Sequence, residues 1–221
     1  MKIGLIVALS KELTLFANMI TDFSEQTFGG NRFLCGKYAG KEIVATVSGM
    51  GKVNAALSAA SLINHFNVDT ILNIGISGGL DASLEIGDFV LGEDIVYHDV
   101  WSGEGYPYGQ VQNMPLYYHS APQLAEKCPP YRRGLLCCGD KFITSADELN
   151  AIKAAFPKAL AVDMESAAIA QTCHIQQIPF LCVRQISDTP GVEHHAEQYD
   201  YFWHHAPQNS IIEFKNILEK L

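Results

Sequence analysis

The sequence has no apolar run as long as a membrane span, no C-x-x-C pair and little positive charge. Of its 221 residues, 15 are Lys or Arg and 24 are Asp or Glu, which gives a formal net charge of −9. Such a surface repels a phosphate backbone, so we expect neither a nucleic-acid partner nor a membrane partner. The apolar segment 2–8 lacks a signal-peptide cleavage pattern, and we expect it to form a buried strand.

The cysteines and histidines are not spaced as metal ligands. Four of the six cysteines lie in apolar, strand-like runs, namely Cys35, Cys137, Cys138 and Cys182. We expect free thiols in a reducing compartment, and therefore a cytoplasmic protein. The histidine pairs at 194–195 and 204–205 form no H-E-x-x-H motif, and adjacent residues on a helix point apart. The sequence therefore predicts no metal site and no cofactor.

Apolar strand-like runs alternate with helical patterns along the chain. Strands are predicted at 2–8, 33–38, 42–48, 69–75, 89–96, 134–138, 160–162 and 179–186. Helices are predicted after a cap at Ser10, over 53–66, after the capping box at 145–148, from about residue 165, and at the C-terminus. An early hairpin followed by βα units predicts one three-layer α/β/α domain over 1–221 with a central mixed sheet.

Residues 98–130 show little periodicity and are long for a loop within a compact domain. Loops of this length are usually functional, as lids or as binding segments. We therefore expect this stretch, called the arm below, to serve as a lid or an interface.

Polar residues follow several of the predicted strands. Glu12 comes after the first strand, Ser77 after the strand at 69–75, Glu165 after the short strand, and Ser187 with Asp188 after the last strand. Ligands of α/β sheets gather beyond the carboxyl ends of the strands. Carboxylates that meet there raise one another's pKa, although helix N-termini also attract carboxylates for purely structural reasons.

Two glycine-rich segments resemble known motifs only in part. The run GISGG at 75–79 satisfies the G-x-S-x-G pattern of serine hydrolases, but no helical pattern follows it, as a nucleophile elbow would require. Its glycines, including Gly78, are better suited to letting the backbone approach a ligand closely. The segment GMGK at 49–52 has neither the dinucleotide-binding nor the P-loop spacing.

At six segments the sequence resembles the methylthioadenosine/S-adenosylhomocysteine nucleosidases of the nucleoside phosphorylase superfamily. They are SGMGKVNAA at 48–56, YHD at 97–99, YGQ at 108–110, GD with FI at 139–143, AVDME at 161–165, and VR with ISD at 183–188. The segments occur in the family's order with similar spacing, and the resemblance covers nearly the whole chain. It implies a nucleoside phosphorylase-like fold, a homodimer with the arm at the interface, and no cofactor.

The resemblance also implies roles for the reacting groups and the ribose site. Glu12 matches the general base that activates water, and Asp188 matches the general acid at adenine N7, with Ser187 beside it. Glu165 matches the carboxylate that holds the ribose hydroxyls, and Met164 matches a residue packed on the sugar.

Further roles concern the adenine site and the water site. Phe142 matches the aromatic that stacks on adenine, and Ile143 matches a residue whose backbone bonds the base edge. Arg184 matches an arginine near the water, and Tyr199 resembles an aromatic that covers the base.

Three departures from the family pattern concern the same site. Ile76 stands where the family has a serine that helps to hold the water, with Ser77 next to it, and Asp163 replaces a common glutamate. The segment 100–106 differs from the family's arm, so the preferred 5′-substituent is not inherited.

The expected activity is hydrolysis of the N-glycosidic bond of methylthioadenosine or S-adenosylhomocysteine. The residues leave open a phosphorylase, a futalosine or aminodeoxyfutalosine hydrolase, a nucleoside-binding protein without turnover, and a serine hydrolase acting through Ser77. Phosphate would need a cationic cradle, for which Arg184 is the local candidate, and Glu12 would repel the anion.

Overall fold

The structure is a computed structural model that describes residues 1–7, 10–190, 195–205 and 207–221. For residues 11, 12, 15, 195, 196, 203–205 and 207–211 it describes the backbone alone. None of the described helices is long and apolar enough to cross a membrane.

Ten strands and seven helices alternate along the described chain. The strands are β1 Lys2–Val7, β2 Thr21–Phe28, β3 Asn31–Tyr38, β4 Lys41–Val47, β5 Thr70–Gly79, β6 Phe89–Tyr97, β7 Tyr118–His119, β8 Arg132–Cys138, β9 Ala159–Asp163 and β10 Phe180–Asp188. The helices are α1 Ser10–Ala17, α2 Lys52–Asn64, α3 Pro122–Ala125, α4 Ala146–Ala155, α5 Ser166–Gln176, α6 His195–His205 and α7 Pro207–Lys220.

The strands form one mixed sheet, as predicted, with the order β10-β6-β8-β9-β5-β1-β4-β3-β2. Strand β10 also pairs with β5, so β5, β10, β6, β8 and β9 close into a ring. We call these five strands the closed ring. We call β1, β4, β3 and β2, which extend from it to a free edge, the open wing.

Helices cover both faces of the sheet, which confirms the three-layer α/β/α prediction. On one face α2 and α5 pack together over a core that includes Ile6, Leu62 and Ile169. On the other face α1 and α7 pack over a core that includes Leu5, Phe16 and Phe214. Because both faces are covered, the central strands are apolar along almost their whole length.

Strand β5 runs four residues further than predicted, since it ends at Gly79 and not at residue 75. The glycine-rich segment therefore lies inside the strand, and the prediction that Ser77 follows the strand is wrong. The missing side chains permit close packing: a Cβ on Gly79 would lie 3.1 Å from Ile186 Cγ2. In the same way, Ser187 and Asp188 are the last residues of β10 and do not follow it.

The structure differs from the predicted set at β2 and at the C-terminal helices. No strand is predicted at 21–28, where every residue of β2 is exposed, because such a strand has no alternation of apolar and polar residues to reveal it. Two helices, α6 and α7, stand where one C-terminal helix is predicted. The predicted hairpin is confirmed as β3 and β4, and the predicted capping box is confirmed at the start of α4.

The arm at 98–130 contains only the two-residue β7 and the four-residue α3 as regular elements. Its first half is fixed by local hydrogen bonds. The Tyr108 hydroxyl donates to the His98 carbonyl, and Gly109 N donates to Val100 O at 2.8 Å. Gly109 has φ +92°, and a Cβ there would lie 2.6 Å from Tyr97 O, so only glycine fits at this turn.

Candidate active site

A cleft opens where β5, β9 and β10 end. Nine of the eleven predicted site residues line it: Ser77, Gly78, Phe142, Ile143, Met164, Glu165, Ser187, Asp188 and Tyr199. The prediction that these residues meet follows the general rule that ligands bind at the carboxyl ends of the strands. Seven further residues complete the lining, namely Gly49, Met50, Ile76, Lys141, Val162, Asp163 and Pro190.

Asp188 is held at the end of β10 and is 2% exposed. The Ser187 Oγ lies 3.1 Å from Ser77 O and 2.5 Å from Asp188 Oδ1, so its hydroxyl can donate to either oxygen. A Cβ on Gly78 would lie 3.3 Å from Asp188 Oδ2, so glycine keeps the approach to this carboxylate open. The strand end thus presents a buried carboxyl group with a hydroxyl beside it.

Glu165 precedes α5 and faces the start of α2. Its Oε1 accepts a hydrogen bond from Gly51 N at 2.9 Å. Burial, followed by the nearby Asp163 carboxylate, raises the pKa of Glu165 to about 7 from its ordinary value of 4.5. Glu165 therefore takes up a proton more readily than an exposed glutamate does.

Asp163 ends β9 and organises the turn into α5. Its Oδ1 accepts hydrogen bonds from Glu165 N at 3.2 Å, Ser166 N at 3.0 Å and Ser166 Oγ at 2.8 Å. A carboxylate at this position satisfies N–H groups that the first helical turn leaves unpaired. The Asp163 side chain thereby fixes the backbone of the turn that presents Glu165.

Arg184 lies beneath the cleft and is not among its lining residues. Its Nε is 2.9 Å from Asp163 Oδ2, and both side chains are 2% exposed. Its Nη2 donates to Asn73 Oδ1 at 2.6 Å, and its Nη1 lies 3.1 Å from Val183 O and 3.4 Å from Asn73 O. The buried guanidinium is thus committed to protein acceptors at all three of its nitrogens.

An aromatic pair forms the outer wall of the cleft. The rings of Phe142 and Tyr199 stand edge to face, with centroids 5.0 Å apart at 64°. Burial, followed by the charges of Asp188 and Glu165, raises the pKa of Tyr199. Ile143 is buried at 5% exposure, whereas Phe142 is 45% exposed and presents its ring at the mouth. A flat apolar ligand can enter between this wall and the strand ends.

Ser77 lies in β5 opposite Ile186 of β10, with Ile76 before it in the cleft wall. Its Oγ is buried and has no hydrogen-bond partner among the described residues. A nucleophile elbow requires a sharp turn into a helix and a base on the serine, and Ser77 has neither in the described structure. The position of Ser77 inside β5 therefore does not support the serine-hydrolase alternative.

The other residues considered in the sequence lie wholly or partly outside the described part of the structure. Glu12 lies in α1, and its side chain is outside the described part of the structure, as are the side chains of His195, His204 and His205. His194 is itself outside the described residues. Within the described residues, no group of three or more His, Cys, Asp or Glu side chains is placed to hold a metal ion.

Several residues that shape the site were not predicted as site residues. Met50 and Lys141 line the cleft, and Asn73 holds Arg184 from beneath. Met50 belongs to the GMGK segment, and the two closely spaced glycines of that segment could have pointed to a turn at the site. Asn73 is a polar residue inside an otherwise apolar strand, and a buried polar side chain needs a hydrogen-bond partner.

Comparisons with known proteins agree with this geometry. The sequence pattern of the phosphorylase superfamily matches residues 2–219. A 5′-methylthioadenosine/S-adenosylhomocysteine nucleosidase from Staphylococcus aureus (strain JH9) is 43% identical over 200 residues, covering 86% of this chain and 88% of that protein.

Solved structures extend the likeness to the whole chain. An S-adenosylhomocysteine nucleosidase from Streptococcus pyogenes, in complex with 5-methylthiotubericidin, matches with a TM-score of 0.95 at 36% identity, covering 100% of this chain and 97% of that one. The futalosine hydrolase of Helicobacter pylori strain 26695 matches with a TM-score of 0.93 at 29% identity, covering 100% and 98%. The chain therefore belongs to the 5′-methylthioadenosine/S-adenosylhomocysteine nucleosidase family, within the phosphorylase superfamily.

Proposed function

We propose that this protein hydrolyses the N-glycosidic bond of 5′-methylthioadenosine and S-adenosylhomocysteine, releasing adenine and a 5′-thio-substituted ribose. The observation that carries the proposal is the meeting, in one cleft, of the Phe142–Tyr199 aromatic wall with the carboxyl groups of Glu165 and Asp188. An aromatic wall can stack on a purine ring. One carboxyl group can protonate the base, and the other can accept hydrogen bonds from the sugar hydroxyls. The 5′-thio substituents are inferred from the similar proteins, which are nucleosidases of 5′-methylthioadenosine and S-adenosylhomocysteine.

Asp188 is proposed as the general acid. Adenine leaves as a neutral base when N7 receives a proton while the bond between C1′ and N9 breaks. The buried carboxyl group at the end of β10 supplies that proton, and Ser187 orients it through the 2.5 Å contact. Phe142 and Tyr199 hold the ring, and the Ile143 backbone bonds its edge.

Glu165 is proposed to hold the ribose 2′- and 3′-hydroxyls, with Met164 packed against the sugar. Loss of adenine leaves an oxocarbenium-like ribose, as in glycoside hydrolysis. A carboxylate fixed beside that cation stabilises it electrostatically. The hydrogen bond from Gly51 N and the turn built by Asp163 keep Glu165 oriented toward the cleft.

Water is proposed to attack C1′ from the opposite face, with Glu12 accepting its proton. Ile76 brings an alkyl group to the cleft where the family has a serine, so the nearest hydroxyl in the strand is that of Ser77. The unpartnered Ser77 Oγ and the open approach at Gly78 favour a contact of this strand with the ligand or its water. Arg184 supports the site from beneath through Asp163.

The charges around the cleft favour water over phosphate as the nucleophile. Arg184 is committed to Asp163, Asn73 and Val183. Among the described lining residues the one Lys or Arg is Lys141, whose Nζ is 2.5 Å from Glu148 Oε1. A phosphate ion would therefore meet carboxylates and no uncommitted cation in this part of the site.

The test is release of adenine from methylthioadenosine, first in phosphate-free buffer and then with phosphate added. Adenine with free methylthioribose in both buffers supports the hydrolase. Dependence on phosphate would convert the assignment to a phosphorylase. Futalosine and aminodeoxyfutalosine are assayed in parallel, because a futalosine hydrolase shares the fold at 29% identity. Binding of the nucleoside without any adenine release would support the binding-protein alternative.

We also propose that two copies of the chain associate through α2 and the arm. Val53 and Leu57, four residues apart on one face of α2, are 70% and 59% exposed, and the preceding Met50 is 70% exposed. Trp101 of the arm is 67% exposed. Large exposed apolar side chains on α2 and on the arm favour an interaction surface there, and a second copy would cover the mouth of the cleft beside Met50.

Sedimentation velocity of a Val53→Asp/Leu57→Asp double variant tests the dimer. The wild type is expected to sediment as a dimer and the variant as a monomer with reduced turnover. Ile212→Asp, at a 56% exposed position on α7, is the matched control and leaves the dimer intact. A monomeric wild type would contradict the proposal.

We further propose that residues 1–221 act as one domain in the cytoplasm. All six cysteines are free in the structure, and five of them are buried. Unpaired thiols are typical of proteins in a reducing compartment. Labelling of unpaired thiols in the denatured cellular protein, with six reactive groups expected, checks the redox state that the location implies.

A further inference from the structure

Lys52, Asp99 and Asp140 form an ion-pair cluster beside the cleft, although none of them is among its lining residues. The Lys52 Nζ lies 2.7 Å from Asp99 Oδ2 and 3.7 Å from Asp140 Oδ2. Asp140 N donates to Asp99 Oδ2 at 2.8 Å, and Lys52 N donates to Asp140 Oδ1 at 2.7 Å. Each of the three residues thus contacts the other two.

The cluster ties together three segments that are distant in sequence. Lys52 begins α2, Asp99 follows β6 at the start of the arm, and Asp140 follows β8. The Lys52 and Asp99 side chains are only 22% and 25% exposed, and the Lys52 Nζ lies 5.3 Å from the centre of the Tyr97 ring. Partial burial and the ring make this pair stronger than an exposed ion pair.

Lys52 and Asp140 are close in sequence to residues that line the cleft. Gly49 and Met50 line the cleft immediately before the Gly51–Lys52 turn, and Gly51 N donates to Glu165 Oε1 at 2.9 Å. Gly51 itself has φ +91°, and a Cβ there would lie 3.1 Å from Asp140 Oδ1. The turn that donates to Glu165 is therefore packed directly against the cluster.

Asp140 is followed at once by the lining residues Lys141, Phe142 and Ile143. The cluster consequently joins the cleft wall at residues 49–50, next to the Gly51 N–H that donates to Glu165, to the cleft wall that carries the Phe142 ring. Its third member, Asp99, attaches the base of the arm to the same point.

We propose that Lys52, Asp99 and Asp140 are positioning residues that hold these two walls at a fixed separation, so that the ribose carboxylate and the base-stacking ring engage one nucleoside together. The proposal rests on the nucleosidase function proposed above. It assigns the three charges no contact with the substrate. Their effect passes through Gly51 to Glu165 and through the 140–143 segment to Phe142.

Loss of the lysine leaves two carboxylates close together without a cation, and they repel each other. The walls then move apart, and small displacements of positioning groups cost about 10²-fold in rate. We expect Lys52→Met to lower kcat/KM for methylthioadenosine by about tenfold or more. The loss is expected in both KM and kcat, because Glu165 is proposed to hold the ribose hydroxyls and also to stabilise the oxocarbenium-like ribose.

The experiment compares Lys52→Met with Lys52→Arg and with Lys37→Met. Arginine restores the cation, so Lys52→Arg is expected to recover most of kcat/KM. Lys37 forms an exposed pair with Asp22 at 2.9 Å on the β2–β3 hairpin, and its loss is expected to leave kcat/KM unchanged. Steady-state kinetics and the thermal midpoint are measured on the same preparations.

The proposal is overturned if kcat/KM of Lys52→Met stays within twofold of the wild type, or if Lys52→Arg is no better than Lys52→Met. If Lys52→Met does not fold, Asp99→Asn keeps the side-chain volume, removes one charge and is held to the same criteria. A wild type that releases no adenine would reject the proposed function alone. The cluster is then tested by calorimetric binding of methylthioadenosine, with the same ratios expected in Kd.

Discussion

The closed ring and the open wing use charge in opposite ways. In the ring, Arg184 and Asp163 pair at 2.9 Å with both side chains 2% exposed. In the wing, Arg32 pairs with Glu25 at 2.6 Å, with side chains 61% and 40% exposed, on the hairpin that forms the free edge. Two ion pairs of similar length therefore occupy very different dielectric surroundings.

The buried pair supports the candidate site, whereas the exposed pair lies on the sheet edge. Burying an ion costs several kcal/mol even when it is paired, so the ring carries a cost that stability alone does not explain. The buried pair ends at Asp163, which orients the turn that presents Glu165. Charges on an exposed edge strand cost little and discourage pairing with other chains.

The largest effect is expected at the reacting groups. Asp188→Asn removes the proposed proton donor to N7, and Glu12→Gln removes the proposed base. Each is expected to lower kcat by about 10²–10⁴-fold, since general acid or base catalysis contributes that much. Turnover of methylthioadenosine is measured together with the circular dichroism spectrum, which should stay native. Near-normal kcat in either variant would remove that residue from the mechanism.

The next effect contrasts the two ion pairs directly. Asp163→Ala leaves the Arg184 guanidinium buried without its carboxylate, and such losses cost about 3–5 kcal/mol in the free energy of unfolding. Glu25→Ala is the matched change in the wing. Urea denaturation of both variants measures the contrast, and equal destabilisation would show that burial does not separate the two pairs.

A pH effect is expected from Glu165. Its pKa in the folded protein is about 7, above the ordinary 4.5, so the folded state holds a proton that the unfolded chain has lost. Between these values the free energy of unfolding therefore decreases as the pH rises. Glu165→Gln should remove that part of the slope when unfolding is followed from pH 4.5 to 8.

Glu148→Gln provides the control for this pH effect. The hydrogen bond from Lys141, followed by backbone hydrogen bonds, lowers the pKa of Glu148 to about 2. Its stabilising contribution is lost only as the pH falls below the ordinary carboxyl range. Glu148→Gln should therefore leave the slope above pH 5 unchanged, whereas an identical slope in wild type and Glu165→Gln would contradict the prediction.

The smallest effect is expected at the edge of the wing. Glu25→Gln removes the charge that pairs with Arg32 but keeps the size of the side chain. Exposed ion pairs contribute little to stability, so the loss in the free energy of unfolding should be far smaller than that of Asp163→Ala, and smaller still in 1 M salt. A salt-resistant loss as large as that of Asp163→Ala would show that the wing depends on its charges as the ring does.

Much of the fold could be predicted because buried strands and capped helices leave local patterns. The segment of β1 and the hairpin of β3 and β4 are visible as apolar periodicity, and the capping box at Ser145 marks the start of α4. The fully exposed β2 leaves no such pattern. The predicted end of β5 is too early, because glycines, which often end strands, here let three strands pack closely.

The site was predictable in its residue types and less so in their arrangement. Strand-end positions, with the family resemblance, predicted nine residues that the structure brings together in one cleft. The cluster of Lys52, Asp99 and Asp140 was not predicted, although each residue lies in a segment that carried the resemblance. Contacts over 41 to 88 positions in the chain leave no local pattern in a single sequence.

The alternation of strands and helices, the acidic surface and the residue types available for chemistry can all be read from the amino-acid sequence. These depend on local periodicity and composition, which any segment carries on its own. The three-dimensional fold was needed to show that β10 closes a ring with β5, and that Arg184 is committed to Asp163 and Asn73. It was likewise needed to show that Gly51 donates to Glu165. These features depend on which distant segments share one dry interior, where each buried polar group must find its partner.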